Sequence, residues 1–147
     1  MFALLSLLAS EIERRAAVYL NLLDDDEKRA FAELAEKMIE ADGLVIGREA
    51  SALAALKAEM GVTEAGGKGG TVEELAGVFK SRRSKVAALL ELIGLGYSDT
   101  AFSVSEESLV NTVANQMAVA PDDLHQIEDW VRDHFSLIRR ALILMRE

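Results

Sequence analysis

Apolar residues recur every three or four positions along most of the chain, which is the period of an amphipathic α-helix. Clear examples are the runs Phe31, Leu34, Ala35, Met38, Ile39 and Val86, Leu89, Leu90, Ile93. No stretch shows a convincing alternation with a period of two, which a half-buried strand would require. The hydrophobic pattern therefore predicts an all-α fold.

Helix-start signals divide this pattern into segments. Asp24, Thr71 and Ser103 each precede a Glu by three positions, as N-cap residues do, and Pro121 suits a first helical position. Seven helices are predicted, near residues 3–22, 25–41, 47–60, 72–79, 81–96, 104–118 and 121–145. Each predicted helix has one apolar face, so we expect a compact bundle that forms a single domain over residues 1–147.

An internal repeat is visible when the chain is aligned with itself so that Asp42 lies over Asp99. Two segments, roughly residues 27–62 and 84–119, then match without a gap, and the Gly-rich segment 63–70 between them is expected to be a flexible loop. The matched pairs include Met38 with Leu95. The repeated unit is helix, acidic turn, helix, which predicts a pseudo-twofold four-helix core.

The acidic turns supply the candidate chemistry. Asp42 and Glu49 in the first copy have the same seven-residue separation as Asp99 and Glu106 in the second. If the pseudo-twofold brings both turns together, four carboxylates converge and suit a divalent cation, with Ca²⁺, Mg²⁺ or Mn²⁺ favoured over Zn²⁺ because neither turn has a His. In the alternative interpretation these carboxylates only cap helices, and Glu106 completes a capping box with Ser103.

A helix ending in Ala41-Asp42-Gly43, a short turn, an acidic helix start and a looser second copy together resemble the TerB-like family. This family is associated with tellurite resistance and is related to the N-terminal domain of certain membrane-anchored J-domain cochaperones. The resemblance spans roughly residues 25 to 135. It implies a seven-helix, pseudo-symmetric cytoplasmic domain, a stress-related role, and divalent-metal binding by the acidic turns, here Asp42, Glu49, Asp99 and Glu106.

The composition of the chain excludes or disfavours several classes of function. The chain has 147 residues, 50% of them hydrophobic, and a formal net charge of −9, which disfavours binding to nucleic acid. It has no Cys, so disulfides, thiolate metal sites and Cys nucleophiles are excluded. No nucleophile elbow, phosphate loop or metalloprotease motif is present, and we expect no catalytic site, no organic cofactor and no enzymatic activity. No apolar run approaches the roughly 20 residues of a membrane-spanning helix.

The long last predicted helix carries several further candidates. His125 and His134 are nine positions apart, on opposite faces of a helix, so they are not expected to share a metal ion. Trp130, Phe135 and the apolar tail 142–145 are interpreted as core residues. If that tail and the leucines of the first predicted helix stay exposed, the apolar patch would indicate a protein partner, which the resemblance suggests to be membrane-associated, or a homodimer; these leucines are Leu4, Leu5, Leu7 and Leu8. The basic cluster 80–85 is interpreted as a solvated helix start.

Overall fold

A computed structural model describes residues 17–40, 54, 57–58, 61, 70–97 and 103–146. Its regular elements are a 3-10 helix, Ala17–Leu22, and five α-helices. The α-helices are α1 Asp25–Glu40, α2 Val72–Ala76, α3 Arg82–Tyr97, α4 Val104–Gln116 and α5 Pro121–Leu144. The described residues contain no strand, and the all-α prediction is confirmed.

Five of the seven predicted helices are therefore present within the described residues. The first predicted helix, 3–22, is described only over its last six residues, where it is a 3-10 helix. The third, 47–60, lies mostly outside the described residues, although Ala54, Lys57 and Ala58 are helical and Lys57 forms an ion pair with Glu36 of α1. The described part of the chain thus supports a helical bundle without establishing seven helices.

Helix α3 lies at the centre of the described bundle. It packs against the 3-10 helix, α1, α4 and α5, while the short α2 bridges α1 and α4. Its side chains are buried on nearly all sides, and Leu89, Leu92 and Ile93 are at most 1% exposed. Burial all round explains why α3 has hardly any amphipathic character, since a helix that is covered on every side needs no polar face.

Side-chain caps fix where most of the helices begin. Asp24 Oδ1 accepts the N–H of Glu27 at 2.8 Å, and Glu27 Oε1 accepts the N–H of Asp24 at 3.0 Å. Thr71 Oγ1 accepts the N–H of Glu74 at 3.1 Å at the start of α2. Helix α5 instead begins with Pro121 at its first position and has no side-chain cap. These are the start signals that the sequence predicts, and the structure confirms them.

Helices α1 and α3 correspond closely under the alignment that pairs Asp42 with Asp99. Their first and last residues then coincide. Every buried position of α1 is also buried in α3; the α1 positions are 27, 30, 31, 32, 34, 35, 38 and 39. The correspondence extends to two turns, because Gly61 and Ala118 both have positive φ, 69° and 57°, and each N–H donates to the carbonyl three residues earlier. The acidic turns themselves lie outside the described residues.

Candidate functional site

Glu106 is the one predicted metal ligand that the structure describes, and it lies at the start of α4. Its side chain is only 4% exposed. Ser103 Oγ accepts the N–H of Glu106 at 3.1 Å, and Glu106 Oε1 accepts the N–H of Ser103 at 3.2 Å. This reciprocal pair is a capping box, as the alternative interpretation predicts. Asp42, Glu49 and Asp99 lie outside the described residues.

Glu27 has the same environment at the start of α1 that Glu106 has at the start of α4. It is 8% exposed and caps α1 together with Asp24. Two buried glutamates at the third position of a helix therefore satisfy backbone N–H groups that would otherwise lack a partner within the helix. This arrangement stabilises the helix starts without a bound ion.

The described residues contain no group of three or more His, Asp or Glu side chains placed to hold a metal ion. His125 Nδ1 lies 3.6 Å from Glu128 Oε2. His134 instead stacks on Trp130, with ring centroids 5.1 Å apart. The two histidines therefore have different neighbours.

Exposed apolar side chains lie along α5 from its middle to the residue that follows its end. We call this set the α5 apolar face, and it consists of Trp130, Leu137, Ile143, Leu144 and Met145, which are 43%, 60%, 59%, 86% and 60% exposed. The prediction that these residues belong to the core is wrong for Trp130 and for the last three residues of the tail, 143–145. It holds for Phe135, which packs against the core, while Leu142 is half-buried. The fully buried residues of α5 end at Val131, and the later residues of the helix are half-buried or exposed.

Aromatic contacts fix the inner end of this face. Trp130 meets Tyr19 of the 3-10 helix edge to face, with ring centroids 5.7 Å apart. His134 lies between Trp130 and Phe135, and its centroid is 5.9 Å from that of Phe135. The indole is therefore held between neighbours on two elements while much of its surface stays open to solvent.

Charge is distributed unevenly along α5. Its first turn carries Asp122 and Asp123, and its second half carries Arg139 and Arg140. In the middle, Arg132 Nε donates to the Tyr97 hydroxyl oxygen of α3 at 3.0 Å. This hydrogen bond is the main cause that raises the pKa of Arg132 above its ordinary value. Arg132 thus connects α5 to α3 as a permanent cation.

The start of α3 carries the basic cluster 80–85. Lys80, Arg82 and Arg83 are exposed, and Ser81 Oγ accepts the N–H of Ser84 at 3.0 Å. Arg82 also pairs with Asp123 of α5 at 3.2 Å. The predicted solvated helix start is confirmed, and its cations lie beside the acidic first turn of α5.

A shallow depression runs along the outer side of α4. The described residues that line it are all exposed or half-buried and are Val104, Glu107, Ser108, Asn111, Thr112 and Asn115. Glu107 is the only titratable group among these lining residues. An open surface with one solvated carboxylate supplies no pair of groups for acid–base or nucleophilic chemistry.

None of the helices within the described ranges is both long enough and apolar enough to cross a bilayer. Comparison with family models, with curated proteins and with solved structures found no match to this chain.

Proposed function

We propose that this chain is a non-enzymatic helical interaction module that binds a protein partner through the α5 apolar face. The observation that carries the proposal is the exposure of Leu137, Leu144 and Met145, each at least 60% open to solvent. Contiguous apolar patches on soluble domains mark interaction sites, since leaving such surface in water is unfavourable. The partner we expect is an apolar helix flanked by charges of both signs, because Asp133 and Arg140 both border the face.

The capping role of the acidic residues supports the same proposal. The carboxylate of Glu106 is buried and accepts a backbone N–H at its own helix start. A carboxylate in this position lowers the free energy of the helix through the cap and through the helix dipole, without a ligand. The acidic turns then belong to the scaffold, and the exposed apolar surface is left as the functional feature.

Equilibrium unfolding of the Leu137→Gln/Leu144→Gln variant tests the proposal at micromolar protein concentration. Exposed side chains contribute little to folding, so we expect the free energy of unfolding to change by less than about 0.5 kcal/mol. Leu124→Gln, at a buried position of the same helix, is the matched control and should cost more than about 2 kcal/mol. A comparable loss in the double variant would show that the face is packed inside the fold, and the proposal would fail.

A second candidate function is the weak divalent-cation site that the TerB-like resemblance implies, within a cytoplasmic stress response. The observation that favours it is the position-by-position agreement of buried residues in α1 and α3. A duplicated pair of helices would place the turns that follow them, with Asp42 and Asp99, in equivalent positions. The seven-helix, pseudo-twofold arrangement that the resemblance implies is part of this second proposal.

Calorimetric titration with Ca²⁺, Mg²⁺, Mn²⁺ and Zn²⁺ tests the second candidate. Binding heat that disappears in the Asp42→Asn/Asp99→Asn variant would support it. Absence of heat at millimolar ion would remove it and leave the interaction module. The unfolding experiment on α5 tests a different claim, because its variants remove no carboxylate of the acidic turns.

A further inference from the structure

The accessible residues on one side of α5 follow the spacing of a helix-pairing seam. We call Trp130, His134, Leu137, Ala141 and Leu144 the α5 seam; successive members are alternately four and three positions apart. All five are exposed or half-buried, whereas Leu124, Ile127 and Val131 on the neighbouring side of the helix are buried in the core. A mean spacing of about 3.5 residues keeps a stripe facing one partner helix along its length. The seam is therefore suited to a second helix.

The α5 seam is nearly symmetric about its own centre. Leu137 is the middle member, with two seam positions on either side at nearly equal distances along the helix. An antiparallel helix pair whose twofold axis passes near Leu137 brings the two ends of the seam against each other. Trp130 then lies near the second copy's Leu144, and the ring of His134 lies near the small Ala141 of the second copy. A self-complementary patch of this kind is what a twofold dimer requires.

Charges beside the seam select the antiparallel orientation. Asp133 and Arg140 are exposed on the same flank, each immediately before a seam position. Within the described part of the chain, neither forms an ion pair. In an antiparallel pair Asp133 lies beside the second copy's Arg140, and the twofold repeats this contact. In a parallel pair each of these residues faces the opposite flank of the second helix, so the two charges do not meet. We infer that α5 is the self-association surface of this protein, and that its partner is α5 of a second copy.

The same charges disfavour a lipid bilayer as the occupant. Arg139, Arg140 and Arg146 would suit an anionic surface, but a helix that lies on a membrane needs a cationic polar rim throughout. Asp129 and Asp133 lie beside the inner half of the seam and would be repelled. The acidic and basic residues beside the seam can each meet an opposite charge on a second copy of α5. The second copy therefore fits this surface better than a bilayer does.

The expected dimer is weak. The seam runs from Trp130 to Leu144, about 21 Å of helix, and a single helix pair of this length falls in the small class of interfaces. The inference rests on the proposed function, because it names the partner of the same face. Association should therefore depend on protein concentration.

Analytical ultracentrifugation of the full chain from about 5 to 500 µM tests the inference, since weak complexes dissociate over this range. We expect the mean mass to rise towards that of a dimer. Asp133→Arg alone and Arg140→Asp alone should each weaken association at least tenfold, and the charge-swapped Asp133→Arg/Arg140→Asp variant should restore it. Arg139→Asp, off the seam, is the matched control and should associate like the wild type. Far-UV circular dichroism verifies that each variant folds.

A chain that stays monomeric at every concentration would overturn the inference, as would a charge swap that fails to restore association. Pelleting of the monomeric wild type with anionic phospholipid vesicles would also overturn it and identify the bilayer as the occupant. The Leu137→Gln/Leu144→Gln unfolding result separates the two failures. An unchanged free energy of unfolding in a monomeric protein leaves the docking face standing and removes only the second copy.

Discussion

At the scale of single residues, two of the buried glutamates act on the backbone. Glu27 and Glu106 are 8% and 4% exposed, and each accepts the N–H of the residue that caps its own helix. Burial of a carboxylate is costly unless charge-assisted hydrogen bonds compensate for the lost water. The capping boxes supply such bonds, which explains the burial of these two side chains.

Replacement of Glu106 by Ala should lower the free energy of unfolding by about 1–2 kcal/mol, because the N–H of Ser103 loses its acceptor. The loss should be the same in EDTA and in millimolar Mg²⁺ or Ca²⁺. Glu107→Ala, at the adjacent exposed position, is the control and should change the free energy little. Urea unfolding measures both. A loss that occurs only when a divalent ion is present would contradict the capping role.

Met38→Ala should cost about 2–5 kcal/mol, because it opens a cavity in a close-packed core. Met38 is 1% exposed, and Leu95, its counterpart in α3, is 6% exposed. Leu95→Ala should therefore fall in the same range, while Val104→Ala, at a position 83% exposed, should have almost no effect. Chemical denaturation of the three variants checks the assignment. A cost near zero at Met38 would contradict the packing of α1.

At the scale of helices, the sequence predicts where a helix begins better than it predicts which elements pack around that helix. Asp24, Thr71 and Ser103 were recognisable as caps because an N-cap depends on residues within one turn of it. The exposure of Trp130 was not predictable in this way, because periodicity shows which face is apolar but not which element covers it. Which part of α5 is covered by other elements depends on the lengths and positions of those elements.

The two turns with positive φ offer a matched test of the correspondence between the halves. Ala118 has φ 57° and Gly61 has φ 69°, a region that favours glycine. We expect Ala118→Gly to raise the free energy of unfolding by up to about 1 kcal/mol and Gly61→Ala to lower it by about 1 kcal/mol. A Cβ at Gly61 would meet no atom within 4 Å, so the backbone alone sets that cost. Thermal melts measure both changes. Stability changes of the same sign in the two variants would contradict the correspondence between the two turns.

At the scale of the whole molecule, the structure shows capped helix starts and exposed apolar side chains on the last turns of α5. The chain carries a net charge of −9, yet the last turns of α5 carry Arg139, Arg140 and Arg146 beside apolar side chains. Arg139 lies about 26 Å along the helix from Asp122, which is more than two screening lengths in physiological salt. The acidic first turn of α5 therefore hardly weakens the field of these arginines, and Asp133 is the nearer carboxylate on the same helix.

The candidate site was predictable only in part. The sequence indicates the chemistry of Glu106 because Ser103 lies at the local spacing of a capping box. Whether the two acidic turns meet depends on long-range packing that no local pattern encodes, and Asp42, Glu49 and Asp99 lie outside the described residues. The sequence predicts an apolar patch if the tail 142–145 and the leucines of the first predicted helix are both exposed. The tail is exposed at Ile143, Leu144 and Met145, and the leucines lie outside the described residues.

The most direct test of the central claim, that the acidic residues are scaffold and that the molecule acts by docking, is a thermal melt in EDTA against melts with Ca²⁺, Mg²⁺, Mn²⁺ or Zn²⁺. We expect the same Tm in every condition, both for the wild type and for Asp42→Asn/Asp99→Asn. An ion at a hundred times its Kd would add about 2.7 kcal/mol, a shift of several degrees for a chain of this size. Such a shift in the wild type, lost in the double variant, would contradict the account and establish a cation site.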